Sequence, residues 1–92
     1  MSDITDRIEA LVKGGATVEV RLSDGITLGP YPVIYAEFTE ARLIAFWWAG
    51  LDEHEHANPV ETWTWDGDLG ELTFHCQDNV IVTLGAIWSP DH

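Results

Sequence analysis

The sequence predicts an α+β fold, an N-terminal helix followed by a five- or six-stranded antiparallel sheet or small barrel. Three observations carry this prediction: a helical stripe in the first dozen residues, a change to two-residue periodicity after a pair of glycines, and short turn signals throughout the rest of the chain. The 92 residues fit one domain, residues 1–92, since smaller pieces would bury too little surface to fold without metals or disulfides.

Ile4, Ile8, Leu11 and Val12 recur at helical spacing. Asp3, Asp6 and Glu9 lie toward the N-terminus of this stretch and Lys13 at its end, as the helix macrodipole favours; Ser2 or Asp3 supplies a cap, and Gly14-Gly15 a left-handed stop. Val18, Val20 and Leu22 then alternate with Thr17, Glu19 and Arg21, which predicts a strand; Ser23-Asp24-Gly25 turns the chain into a partner strand at Ile26. Gly29-Pro30-Tyr31-Pro32 predicts an interruption with a bulge or an edge, because proline cannot donate to a ladder, before Val33-Ile34-Tyr35 resumes. Residues 41–49 read as a third strand with bulky apolar side chains on both faces, and residues 51–58 as a polar loop. Strands are predicted at 60–65, 71–76 and 80–88, separated by turns at Asp66-Gly67-Asp68 and Gln77-Asp78-Asn79.

Charge bounds the partner. Four Lys and Arg (Arg7, Lys13, Arg21 and Arg42) face sixteen Asp and Glu, for a net charge of −12, and no Lys or Arg follows position 42. Nucleic-acid binding draws on Lys and Arg to displace counterions from phosphates, so direct contact with nucleic acid is disfavoured, as is an anionic membrane surface. A basic protein surface is the expected partner class. Cys76 is the single cysteine, which rules out an intrachain disulfide and suits a reducing, cytoplasmic setting. The N-terminal stretch has no basic, apolar leader, and no apolar run approaches the roughly 20 residues that span a bilayer.

Gly15, Val18, Val20, Leu22, Asp24, Gly25 and Gly29 stand where the Sm-like family of small β-barrels has its first motif, and residues 75–82 resemble that family's short final hairpin. The chain resembles the Sm-like and SH3-like small barrels over about half its length. The resemblance implies barrel topology and association into dimers or rings. It does not carry over RNA binding: Ala36 and Ala41 occupy the region of the family's Asp and Asn, and His75-Cys76 stands in place of its Arg-Gly.

Asp52, Glu53, His54, Glu55 and His56 form the one cluster with metal-ligand chemistry, which His75 would complete from a neighbouring strand. Two histidines two residues apart do not match the four-residue spacing of helical zinc sites, so the cluster reads first as a solvated acidic loop and no cofactor is expected. No nucleophile elbow, phosphate-cradling glycine loop or nucleophile–base pair is present, and Cys76 in an alternating strand reads as a small buried hydrophobe. An enzyme is therefore not expected.

Five tryptophans in a chain this short are an excess, and aromatic residues dominate the energetics of cores and interfaces alike. Trp47 and Trp48 are neighbours in a strand, so one faces out; Trp63 and Trp65 share a face; Trp88 ends the last strand. These observations predict an acidic interaction module of the kind phages encode to modulate or inhibit a host protein. It would dock through Trp47, Trp48, Trp63 and Trp65, with Asp52, Glu53, Glu55, Glu61, Asp66 and Asp68 selecting a basic surface. Two alternatives differ in class: a nucleic-acid mimic whose carboxylates replace phosphates, and a metal protein centred on His54, His56 and His75. A homodimer paired through residues 43–48 or 80–88 is compatible with each.

Overall fold

The computed structural model describes residues 3–85, an N-terminal helix on a closed six-stranded antiparallel barrel. Helix α1 (Asp3–Lys13) presents Ile4, Ile8 and Leu11 to the core. It ends as Gly14-Gly15 predicts: Gly15 has φ +81°, its N–H donates to the Val12 carbonyl, and the Ala16 N–H donates to that of Leu11. Both bonds together form a Schellman motif, which satisfies carbonyls the last turn leaves free. The cap expected from Ser2 lies outside the described residues, as does Trp88.

The strands are β1 (Thr17–Arg21), β2 (Thr27–Thr39), β3 (Arg42–Ala49), β4 (Asp52–Asp66), β5 (Glu71–Cys76) and β6 (Ile81–Gly85). Each pairs with the next, and β6 closes the barrel on β1. Val18, Val20, Leu43, Ala45, Leu72, Phe74, Val82 and Leu84 fill the interior, with Phe38 packed 5.7 Å from Phe74. Apolar alternation along β1, β3, β5 and β6 produces this core directly.

Two sequence-based expectations need correction. Gly29-Pro30 carries the expected bulge, between the pairs Val18 opposite Tyr31 and Val20 opposite Leu28, but does not interrupt the second strand, since β2 runs through it. Above that bulge β2 leaves β1 and pairs with β3, so the disruption bends the strand across the barrel. Residues 52–58 are likewise not a loop but the first half of β4, paired with β3 from Ala49 opposite Asp52 to Arg42 opposite Pro59. Their carboxylates and His54 are exposed, so nothing forces an apolar alternation there. The pairing partners considered for a dimer also change, since β3 and β6 each have a strand on both sides.

Both hairpins around β3 turn in two residues. Gly50 takes φ +69° at the β3–β4 turn, as a tight hairpin favours, whereas Glu40 and Ala41 take φ +52° and +59° with side chains that disfavour it. Left-handed backbone costs an ordinary residue roughly 1–2 kcal/mol. Replacing Glu40-Ala41 with Asn-Gly is therefore expected to stabilise the protein by about 1 kcal/mol, raising the melting temperature by about 4–8 °C in a thermal scan.

Candidate aromatic and acidic docking face

Strand β3 decides which tryptophan points where. Leu43, Ala45 and Trp47 turn into the barrel, leaving Trp47 only 6% exposed, while Ile44, Phe46 and Trp48 turn out, leaving Trp48 44% exposed. On the outer side β2 places Glu37 opposite Ile44 and Tyr35 opposite Phe46. Strand β4 places Ala57, Glu55 and Glu53 opposite Ile44, Phe46 and Trp48. Cross-strand partners share a face, so Ile44, Phe46 and Trp48 form a stripe with Tyr35 beside it and carboxylates along both flanks.

The stripe is ordered by its own contacts. The Tyr35 and Phe46 rings lie 6.3 Å apart at 42°. The Tyr35 phenol is pushed above its usual range, first by desolvation, then by the Glu37 carboxylate and its hydrogen bond with that group, so it remains a neutral donor. Toward α1 the face runs into a shallow recess of about 140 Å³ lined by Thr5, Ile8, Glu9, Glu37 and Phe38.

The structure gathers Trp48, Glu53 and Glu55 and disperses the rest of the predicted set. Trp47 belongs to the core, its ring stacked on His54 at 6.2 Å and 16°. Trp63 and Trp65 do share a face, but it is the inner one, opposite Phe74 and Leu72; Trp63 stays 39% exposed, and the Arg7 guanidinium lies 4.4 Å from the centre of the Trp65 ring. Asp66 serves its own turn, its Oδ1 accepting from the N–H groups of Asp68 and Leu69 at 3.0 and 3.1 Å. Asp68 is exposed in that turn, and Glu61 falls at a bulge between the pairs Val60 opposite Cys76 and Thr62 opposite His75. Asp52 closes the β3–β4 hairpin on the strand side away from Glu53 and Glu55. Sequence reasoning missed Tyr35, Glu37, Ile44 and Phe46. The two-residue parity that places Ile44 and Phe46 with Trp48 was present in the sequence; the strands flanking them required the pairing register.

The histidines do not converge. His54 is exposed against Trp47, His56 is buried with its Nε2 3.7 Å from Cys76 Sγ, and His75 is exposed on the opposite side of β5 from Cys76. Among the described residues no three His, Cys, Asp or Glu side chains are grouped to hold a metal ion. Burial lowers the pKa of His56 and raises that of Cys76, so the pair consists of a neutral imidazole and a neutral thiol, without the thiolate a nucleophile needs.

Because the folded state disfavours protonated His56, the stability it contributes is complete above the ordinary histidine pKa of 6.5 and is lost as pH falls below that value. Between pH 7.5 and 5, melts of the parent should lose stability relative to a His56→Gln variant, whose side chain does not titrate. Parallel pH profiles would remove the effect.

Among the described residues no helix is long and apolar enough to cross a membrane. Comparison with protein-family models, with curated proteins and with solved structures finds no match, so the functional reading rests on the face itself.

Proposed function

We propose that this protein is an interaction module that docks a basic protein surface on the outer face of β2, β3 and β4. The outward stripe of half-buried Ile44 and Phe46 and exposed Trp48, held between Glu37 on one side and Glu53 and Glu55 on the other, is the observation that carries this reading. Such a face combines a large aromatic anchor with a charged rim, the division found where a few central residues supply affinity and the rim selects the partner. The net charge of −12 adds long-range steering toward cations. A small domain without a recognisable catalytic set suits a modulator or inhibitor of the partner.

A narrower form of the reading makes the partner's basic surface a nucleic-acid site. Glu53 and Glu55 favour it, because two residues along one face of a strand are about 7 Å apart, an interval comparable to that of successive phosphates on a strand. A partner that releases the protein on addition of duplex or single-stranded nucleic acid would support this form.

The test is capture of partners by tagged protein at low and high salt, with a Glu53→Gln, Glu55→Gln double variant alongside. A specific basic partner is expected at low salt, lost at high salt and bound about tenfold more weakly by the double variant. Capture indifferent to both salt and the double variant would overturn the proposal.

A further inference from the structure

Among the described residues, the three strands that form the docking face do not have both edges covered. Strand β2 packs against α1, and the Val33 N–H donates to the Ala16 carbonyl. Strand β4 reaches β5 only from Val60 onward, so among the described residues its ladder partner from Asp52 to Asn58 lies on the β3 side alone.

The turn geometry identifies the backbone groups left over. Ala49 and Asp52 close a two-residue hairpin and so form a hydrogen-bonded pair, after which bonded and non-bonded pairs alternate. The bond from the Val60 N–H to the Ala41 carbonyl, 2.7 Å long, falls at the expected step of this alternation. Asp52, His54, His56 and Asn58 therefore bond to β3, whereas the N–H and C=O groups of Glu53, Glu55 and Ala57 point away from it. Pro59 continues this outward series, the position at which a strand tolerates a residue without an N–H. Among the described residues no other backbone hydrogen bond uses these groups.

We propose that this edge receives an extended basic segment as an added strand. A free edge is a ready template for strand addition, with backbone bonds supplying affinity and alternate side chains supplying specificity. Charge selects the occupant. A second copy pairing β4 with β4 would set Glu53 and Glu55 against the same carboxylates, whereas a segment with Lys or Arg at every second position places cations beside Glu53 and Glu55 on the face that also holds Phe46 and Trp48. The inference rests on the reading above that the partner is basic, and it adds how that partner engages.

Synthetic peptides of about eight residues test it. One alternates Lys with Val, a second has the same composition with its lysines in a block, and a third alternates but carries N-methyl groups on its edge-facing amides. The alternating peptide should bind at least tenfold better than both others and slow amide exchange at Glu53, Glu55 and Ala57. Ala57→Pro removes one outward donor where proline is tolerated, and should weaken that binding at least tenfold without lowering the melting temperature. Equal binding of the three peptides, unchanged exchange at the edge, or an Ala57→Pro variant that binds like the parent would overturn strand addition. The docking face would survive that result if Trp48→Ala still released the captured partner; if it did not, both readings would fall.

Discussion

Gly29→Ala is expected to lower the melting temperature by about 12–24 °C, corresponding to a loss of about 3 kcal/mol. Two penalties combine at this position. Gly29 has φ +102°, where an L side chain is strained, and a Cβ there would lie 2.6 Å from the Val18 carbonyl oxygen and 3.2 Å from the Tyr31 nitrogen. Those neighbours are backbone, so no rotamer change relieves the contact. Val18 also pairs with Leu84 of β6, so moving it disturbs the closure of the barrel as well as the bulge. A domain of this size has only about 5–15 kcal/mol of net stability, so the loss should be plain in a denaturant or thermal scan. A shift of less than about 4 °C would mean that β1 and β2 cross less closely than the structure shows.

Trp48→Ala is expected to weaken partner binding by about 30-fold or more while changing stability little. The side chain is the largest exposed group on the outer face, and truncating a central aromatic anchor typically costs 2 kcal/mol or more of binding free energy. Its contribution to folding is limited to cross-strand contact with Glu53 and its neighbours, about 0.2–1 kcal/mol. Trp63→Ala provides the contrast. Trp63 is comparably exposed, but its inward direction opposite Phe74 takes it off the docking face, so this variant should lose stability and keep its affinity. Titration of the captured partner into each variant, with melts alongside, separates the two effects.

The helix and the all-antiparallel remainder were legible because local patterns determine them. The change from the Ile4, Ile8 and Leu11 spacing to the Val18 and Val20 spacing at Gly14-Gly15 marks the boundary without any tertiary information. The first half of β4 was not legible. Asp52, Glu53, His54 and Glu55 are exposed, so the alternation that reveals a strand has no core to produce it, and pairing with β3 makes the segment extended. Gly50 held the clue, since a glycine between apolar and polar runs suits the first position of a two-residue hairpin.

The candidate site divides the same way. That one of Trp47 and Trp48 faces out followed from parity, but which one depends on the register that sets Trp48 opposite Glu53. Trp63 and Trp65 were correctly placed on a common face; that this face is the interior depends on barrel closure, which joins residues far apart in the chain. Asp66 illustrates a third limit, since its residue type suits a partner contact and a turn equally, and the structure shows its carboxylate engaged with its own turn.

The tryptophan side chains supply the most direct test of the docking face. An isotope-labelled spectrum of the protein, recorded while the partner captured at low salt is added, resolves the indole N–H of each tryptophan. The Trp48 indole should shift or broaden with the partner, while those of Trp47, Trp63 and Trp65 hold their positions. Perturbation of Trp63 or Trp65 with Trp48 unchanged would place the partner beside the β4–β5 pairing, off the docking face, and contradict the account.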